Sequence, residues 1–279
     1  MKSFILRAAA CASAVILLSG CGNSERNAKV DAMRTRLEEN KYIIHACGEI
    51  ADESGQTYTY TNSKEALENS YNAGNRVIEM DFHYTSDDHL VPGYAWGDLY
   101  LGDEQMTPGV PPSLSDYLQC KIDGAFTPMT FEDVAEFMRA HEDLFIVTDT
   151  KEENEKFCKL ISHDYPDLED RFIVQIYHAK EYEPVIRSGF DYVIFTLYET
   201  EEAERTPEAL LGIAKKHLVG FTVYAEWADD PQFLESLKKT DTPIYVHTVN
   251  EDAEMAAYFD LGIKGIYTDR TDLSSNISR

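Results

Sequence analysis

The stretch that decides the fold is Val77-Ile78-Glu79-Met80-Asp81-Phe82-His83-Tyr84-Thr85. Bulky apolar residues alternate in it with polar ones, and this period of two is typical of a β-strand with two different faces. One face is apolar and is expected to contact covering helices, while the other carries Glu79, Asp81 and His83. Because two neighbouring carboxylates are costly to bury unless a positive charge lies between them, the pattern indicates a divalent cation.

Outward from this strand, predicted strands and helices alternate along most of the chain. The expected strands are residues 42–47, 77–85, 90–95, 144–150, 172–178, 192–198, 219–225, 244–249 and 265–268. The expected helices are residues 63–73, 131–140, 152–162, 181–188, 207–217, 231–239 and 252–260. Ser63 and Thr130 are predicted helix caps, and Pro231 is expected in a first turn. About eight such units predict parallel strands in a closed (β/α)8 TIM barrel rather than an open doubly wound sheet.

The N-terminus is predicted to be an export signal. Lys2 and Arg7 precede or flank an apolar run that ends in Leu18-Ser19-Gly20-Cys21, so residues 1–20 have the features of a secretory signal peptide. This ending resembles the lipobox of bacterial lipoproteins, which makes Cys21 the expected lipidation site; an ordinary signal peptide with a chance cysteine is the alternative. We therefore expect an extracytoplasmic lipoprotein of the bacterial cell envelope, held at the membrane by its lipid anchor, with a tether and leading helix over 21–40 and one barrel domain over 41–279.

The composition excludes some classes of partner. The chain has 25 lysines and arginines against 50 aspartates and glutamates, a formal net charge of −25 at pH 7. Such an acidic chain is not expected to bind nucleic acid or to dock electrostatically on anionic lipid. No Cys-x-x-Cys spacing occurs in the sequence, so zinc ligation by thiolates is not expected either.

Charged side chains recur where the predicted strands end, the edge at which such barrels carry their chemistry. Glu79 and Asp81 are two residues apart on one strand, and Asp149 and Lys151 have the same spacing on another. Three converging carboxylates form an oxygen-rich site suited to Mg²⁺ or Ca²⁺, and a neighbouring lysine suits a phosphate. Each motif alone is more often a surface face or an ion pair; their common position favours a site. Other polar residues at predicted strand ends are His45, His83, His178, Tyr198, Glu226 and His247.

Several motifs together resemble the glycerophosphodiester phosphodiesterase family, a branch of the phosphatidylinositol phospholipase C-like barrels. In the first third they are His45-Ala46-Cys47-Gly48, Tyr60-Thr61-Asn62-Ser63-Lys64-Glu65-Ala66-Leu67, Gly74-Asn75-Arg76-Val77-Ile78-Glu79-Met80-Asp81 and Thr85-Ser86-Asp87. Near the end they are His247-Thr248-Val249-Asn250 and Gly262-Ile263-Lys264-Gly265-Ile266-Tyr267-Thr268-Asp269. The resemblance covers roughly residues 42–269 and implies a TIM barrel with one divalent cation.

The resemblance also implies roles for individual residues. Glu79, Asp81 and Asp149 would be the metal ligands, with Asp149 standing where the family usually has glutamate. Lys151 would contact the phosphate of the substrate. His45 would act as general acid or base and help a neighbouring substrate hydroxyl attack phosphorus.

The sequence departs from the family pattern at three positions. Ala46 replaces a phosphate-binding arginine, and Thr61 replaces a glutamate. Tyr94 stands where the family has its second catalytic histidine, and a tyrosine can donate a proton but is a poor general base at neutral pH. His83 or His89 could take over that role, although His83 could equally support the metal ligands and His89 could simply lie in a solvated turn.

Two functions are therefore compared. The first is metal-dependent hydrolysis of glycerophosphodiesters, or of related phospholipid head-group phosphodiesters, at the cell surface. The second is a catalytically degraded barrel that binds an anionic polyol phosphate or a surface partner, and it rests on Ala46 and Tyr94. Residues 97–128, which are rich in glycine and proline with weak periodicity, are expected to form an excursion that sets the choice of head group.

Overall fold

The computed structural model describes residues 24–273. The predicted signal peptide and the predicted lipidation site Cys21 lie outside the described residues. The strands in chain order are β1 (Tyr42–Ile44), β2 (Ile50–Ala51), β3 (Thr57–Tyr58), β4 (Val77–Tyr84), β5 (Leu90–Pro92), β6 (Leu99–Leu101), β7 (Glu104–Gln105), β8 (Lys121–Ile122), β9 (Phe145–Thr150), β10 (Phe172–Ile176), β11 (Val193–Thr196), β12 (Gly220–Tyr224), β13 (Ile244–His247) and β14 (Gly265–Thr268).

Eight of these strands close into a barrel, which confirms the predicted fold. Going round, the order is β1, β4, β9, β10, β11, β12, β13 and β14, and each neighbouring pair is parallel. The ring closes because β1 pairs with both β14 and β4. The helices are α1 (residues 24–40), α2 (Lys64–Asn72), α3 (Leu114–Tyr117), α4 (Phe131–Ala140), α5 (Asn154–Asp164), α6 (Tyr182–Arg187), α7 (Pro207–Ala214), α8 (Ala225–Ala228), α9 (Pro231–Lys238) and α10 (Asp252–Asp260).

Local sequence signals explain where several helices begin. The Ser63 hydroxyl accepts a hydrogen bond from the Ala66 amide, and Thr130 forms a capping box with Asp133. Pro231 occupies the first turn of α9. These three predictions are confirmed, and the reason is that each residue satisfies or dispenses with an amide that a helix start leaves unpaired.

Helix α1 covers the end of the barrel where the strands begin. Val30, Met33 and Leu37 repeat at helical spacing, are buried, and pack in one cluster with apolar residues that open the barrel strands. The Arg34 guanidinium donates to the Leu218 carbonyl, just before β12. The opposite end of the barrel, the mouth, is left open. In the described part of the chain, none of the helices has the length and hydropathy needed to cross a membrane.

The largest differences from the predicted elements lie beside the mouth. Residues 45–47 were expected to continue β1 but form a 3₁₀ turn, because Ala46 and Cys47 have positive φ angles of 46° and 67°. The strand expected over 90–95 is β5, which runs antiparallel along β4 outside the barrel. The excursion over 97–128 folds into β6, β7, β8 and α3, whose short elements lack the long apolar periodicity that predicts structure.

Two glycines at strand starts make room for a buried aromatic ring. A Cβ added to Gly220 would lie 2.1 Å from Cε2 of Tyr245 and 3.0 Å from the Pro243 carbonyl oxygen. A Cβ at Gly265 would lie 2.8 Å from Cδ1 of the same ring. The Tyr245 ring is therefore wedged between β12 and β14 at the closed end of the barrel.

We predict that Gly220→Ala lowers the free energy of unfolding by about 3 kcal/mol, because the added methyl group overpacks against Tyr245 and backbone. Thermal unfolding followed by circular dichroism measures this change. Gly212→Ala is the matched control: Gly212 lies in α7 with open space around its Cα, so this change should leave stability equal or slightly higher. Equal melting temperatures for the two variants would contradict the packing argument.

Candidate active site

The carboxylates predicted to converge are brought together by the register of β4 and β9. Asp81 lies directly beside Asp149 on the neighbouring parallel strand, and Glu79 lies two residues earlier on the same face of β4. Ligand oxygens of the three residues lie within 4.8 Å of one another. Glu79 and Asp81 are each 2% exposed and Asp149 is 8% exposed. We call these three residues the acidic triad.

Two polar side chains hold the triad in place. The Lys151 ammonium lies 2.5 Å from Asp81 Oδ1 and 2.8 Å from Asp149 Oδ2. Asn62 forms two hydrogen bonds with Asp81: its Nδ2 donates to Oδ2 at 2.8 Å, and its Oδ1 accepts from the Asp81 amide at 3.0 Å. Asn62 adopts a positive φ of 47°, which asparagine tolerates better than most residues. One oxygen of Asp81 thus faces the lysine and the other faces the amide.

Glu79 is held by backbone rather than by a cation. The Ala46 amide, exposed by the 3₁₀ turn after β1, donates to Glu79 Oε2 at 2.6 Å. Burial, followed by the negative charge of Asp81, raises the pKa of Glu79. Burial also raises the pKa of Asp81, despite the nearby Lys151. The triad thus carries more buried negative charge than Lys151 offsets, and its all-oxygen donor set fits a hard divalent cation.

His45 is oriented toward the triad by a second carboxylate. Its Nδ1 lies 2.8 Å from Asp269 Oδ1, and its Nε2 lies 4.0 Å from Glu79 Oε2. Asn250 donates to the other Asp269 oxygen at 2.7 Å and so fixes that carboxylate. Burial lowers the pKa of His45, but the Asp269 hydrogen bond and the charge of Glu79 outweigh burial, so the net pKa is raised. Since an ionised carboxylate only accepts, Nδ1 carries a proton and Nε2 faces the triad.

We predict that Asp269→Asn lowers the pKa of His45, because the carboxylate that offsets burial is removed. Nuclear magnetic resonance titration of the His45 imidazole measures this pKa shift. The His45 signal is assigned by its absence in His45→Gln. The wild type and the variant are titrated at the same metal concentration. If the site catalyses the reaction that the sequence resemblance implies, its turnover number should fall about tenfold or more, since the imidazole loses the partner that orients it. Asp260→Asn, an exposed carboxylate at the end of α10, is the control. An unchanged pKa and turnover number would show that Asp269 has no positioning role.

The triad and His45 open into a cavity of about 500 Å³ at the barrel mouth. This volume is typical of small-molecule sites. Gln175 and Tyr267 line its base, where Gln175 Oε1 accepts hydrogen bonds from Thr196 and Tyr267 at 3.0 and 3.1 Å. The upper walls are mainly aromatic and acidic, and the cavity is therefore shaped for a small polar ligand.

The structure brings some of the predicted residues into this cavity and leaves others out. His45, Glu79, Asp81, Asp149 and Lys151 all line it. Of the other strand-end residues, those that line it are His178, Tyr198 and His247, and Tyr94 also does. Glu226 does not; it borders a separate surface cavity. None of the described residues of the 97–128 excursion lines the main cavity, and the role of the segment in the choice of head group stays a prediction.

Neither histidine considered as a replacement for the second family histidine reaches the cavity. His83 packs against Trp96, its Nδ1 lies 3.5 Å from Glu152, and its Nε2 bonds the Tyr94 carbonyl oxygen. His89 lies exposed in a turn. His83 lies outside the cavity because β4 continues past the barrel rim, where it pairs with β5 and its last residues face the flanking loops.

Sequence reasoning did not assign a role to several residues of the site. His247 lies at the end of β13 with its ring centroid 4.9 Å from that of His45. Burial and the charge of His45 lower the pKa of His247 to about 4, so its imidazole is neutral at neutral pH. The strand-end pattern did indicate His247. It would equally have found Asp269, which directly follows β14, whereas the role of Asn62 depends on a loop conformation.

The chain matches the family described as the Glycerophosphoryl diester phosphodiesterase family over residues 120–273, more than half of its length. Asp149 and Lys151 lie inside the matched part, and His45, Glu79 and Asp81 precede it.

Solved structures share the fold at low sequence identity. A glycerophosphodiester phosphodiesterase from Thermotoga maritima is 17% identical, with a TM-score of 0.63, over 85% of this chain and 98% of that one. One from Agrobacterium tumefaciens is 15% identical, with a TM-score of 0.61, over 85% and 99%. An Oleispira antarctica phosphodiesterase, solved with the product sn-glycerol-3-phosphate, is 13% identical, with a TM-score of 0.61, over 85% and 96%.

Proposed function

Since this chain belongs to the glycerophosphoryl diester phosphodiesterase family, a family of phosphoric diester hydrolases, we propose that it hydrolyses glycerophosphodiesters with the help of a divalent cation. The products are a glycerol phosphate and the head-group alcohol. The observation that carries this proposal is the buried acidic triad, which shares one cavity with Lys151 and His45. Hydrolysis of a diester at this site needs positive charge near the phosphate and a group that transfers protons.

The acidic triad would hold the cation. Glu79, Asp81 and Asp149 offer carboxylate oxygens only. Burial raises the pKa values of Glu79 and Asp81 and so disfavours the ionised forms of these two groups as long as no further positive charge is present. A bound Mg²⁺ or Ca²⁺ supplies positive charge that polarises the phosphoryl oxygens. Both cations prefer oxygen donors of this kind.

The chain's own residues would bind the phosphate and transfer a proton. Lys151 lies at the cavity wall with its side chain 25% exposed, so its ammonium can contact a phosphate while it remains paired with Asp81 and Asp149. His45 presents Nε2 toward the triad, and Asp269 stabilises the charged imidazole from behind. In hydrolysis the nucleophile loses a proton and the departing head-group oxygen gains one. His45 performs one of these transfers through Nε2.

The position of α1 bears on which diesters reach the site. If Cys21 carries the lipid, the five residue-to-residue steps from Cys21 to Arg26 span at most about 18 Å. The Arg26 guanidinium contacts the carbonyl oxygens of Lys216 and His217, at the closed end of the barrel. The mouth then faces away from the membrane of an envelope lipoprotein. We infer from this orientation that the substrates are water-soluble diesters rather than intact phospholipids in the same bilayer.

The alternative, a degraded barrel that only binds, rests on Tyr94 at the position of the second family histidine. Tyr94 lines the cavity, and the Lys151 ammonium lies 5.1 Å from its ring centroid. The Tyr94→His variant addresses this alternative directly, because it restores an imidazole at the same position. If the wild type is inactive and Tyr94→His is strongly active, the alternative of a catalytically degraded barrel is favoured.

The test of the proposed function uses the protein lacking residues 1–21. Release of glycerol phosphate is measured from glycerophosphocholine and glycerophosphoinositol with Mg²⁺, Ca²⁺ or EDTA. Vesicles of phosphatidylcholine serve as the bilayer substrate. The proposal expects metal-dependent release from soluble diesters and none from vesicles. Absence of release from every soluble diester would overturn it, and ligand-induced thermal stabilisation under the same conditions would support the binding alternative.

A further inference from the structure

An aromatic wall lies across the mouth from the acidic triad. Going round the barrel, β12 is diametrically opposite β4, the strand of Glu79 and Asp81. Tyr224 ends β12, and its ring stacks on that of Tyr198, with centroids 4.7 Å apart and planes inclined by 25°. Tyr224 is 36% exposed, so part of its ring stays open to the cavity. We call Tyr198 and Tyr224 the aromatic wall.

A second pair of rings lies on the triad side. Tyr94 is 45% exposed, and its ring centroid lies 4.7 Å from that of Tyr60. Both rings line the same cavity. A ligand that spans the mouth from the triad to the aromatic wall would therefore meet open aromatic rings on both sides. Aromatic faces carry partial negative charge and attract cations.

The charge of the cavity also favours a cationic ligand. Among the residues that line it, Lys151 is the one lysine or arginine, and two triad carboxylates already pair with it. Glu199 follows Tyr198 and lines the cavity, and within residues 24–273 its carboxylate forms no ion pair. Burial and then the carboxylates of Glu199 and Glu226 raise the pKa of Tyr224. An anionic head group would meet repulsion here.

We propose that the aromatic wall, with Tyr94 and Glu199, is a specificity subsite for a quaternary ammonium head group. The proposal deepens the proposed function, on which it rests, and makes choline diesters the preferred substrates. A quaternary ammonium cannot donate hydrogen bonds, so it gains most from aromatic faces and from nearby uncompensated carboxylates. A phosphate at the triad would orient the head group outward to the wall.

The test compares kcat/KM for glycerophosphocholine, glycerophosphoethanolamine and glycerophosphoglycerol, which share the glycerol phosphate. We expect a preference for the choline diester of about tenfold over the glycerol diester, the order of one cation–π contact. Tyr224→Leu should reduce this ratio to about twofold or less, whereas Tyr224→Phe should keep it because the aromatic face remains. Tyr100→Leu, on β6 outside the cavity, is the matched control for the loss of a tyrosine.

The outcomes separate the subsite from the reaction. Equal or better hydrolysis of the glycerol diester overturns the subsite and leaves the proposed function standing. A preference for the ethanolamine diester that Glu199→Gln removes and Tyr224→Leu does not would overturn recognition by the aromatic wall. If no diester is hydrolysed, calorimetric titration with choline chloride decides. If choline binds to the wild type and Tyr224→Leu abolishes this binding, the subsite is retained. If choline does not bind, the subsite is overturned together with the proposed reaction.

Discussion

Asp81→Asn is expected to lower the turnover number for glycerophosphocholine by about 10³-fold. The change removes one of three carboxylates that would hold the cation, and loss of several kcal/mol of transition-state stabilisation corresponds to a factor of this size. It is nearly isosteric, so the hydrogen bonds with Asn62 can persist on one side of the group. Steady-state kinetics at a metal concentration that saturates the wild type measures the loss.

The same variant separates metal binding from folding. Burial raises the pKa of Asp81 in the folded state, so the ionised carboxylate costs stability at neutral pH when no cation is bound. In EDTA the variant should therefore melt at the same temperature as the wild type or higher. Excess Mg²⁺ or Ca²⁺ should stabilise the wild type, by about 2.7 kcal/mol at a hundred times Kd, and leave the variant unchanged. Asp103→Asn, on the exposed excursion, is the control. Equal stabilisation of Asp81→Asn and wild type by the cation would show that the triad does not hold the metal.

His45→Gln is expected to lower the turnover number by about 10²- to 10⁴-fold, the usual contribution of a positioned acid or base. Glutamine can still accept or donate near Asp269 but cannot transfer a proton at neutral pH. Metal-induced thermal stabilisation should be preserved, because His45 is not one of the three oxygen ligands. This combination distinguishes loss of proton transfer from loss of the cation.

The control for His45 is His163→Gln, since the His163 side chain is 86% exposed on α5. This variant should retain wild-type kinetics. Full activity of His45→Gln would contradict the role given to His45. It would indicate the neutral His247 as the proton-transfer group in the cavity.

The barrel could be predicted because its signals are local and repeated. The alternation along β4, the caps at Ser63 and Thr130 and the proline of α9 each act within a few residues. The excursion over 97–128 could not be predicted, because two- and three-residue strands carry too little periodicity.

The acidic triad could be predicted from spacing together with position at the strand ends, since residues two apart on a strand share a face and parallel strands align their ends. What spacing could not give is the inter-strand register that pairs Asp81 with Asp149. It also could not give the positive φ angles at Ala46 and Asn62, which aim an amide and a side chain at the carboxylates. Of the aromatic wall, the strand-end pattern indicated Tyr198 alone, because the stacking of its ring on Tyr224 depends on the three-dimensional arrangement of different strands.

The most direct measurement is a ³¹P nuclear magnetic resonance time course of glycerophosphocholine with the wild-type protein lacking residues 1–21. The reaction is followed first in EDTA and then after Mg²⁺ or Ca²⁺ is added back. If the protein is a metal-dependent diesterase, the diester signal stays unchanged in EDTA. It converts to a glycerol phosphate signal once the cation is restored. The same rate of conversion in EDTA, or none with either cation, would contradict the assignment of this barrel mouth as a metal-dependent phosphodiesterase site.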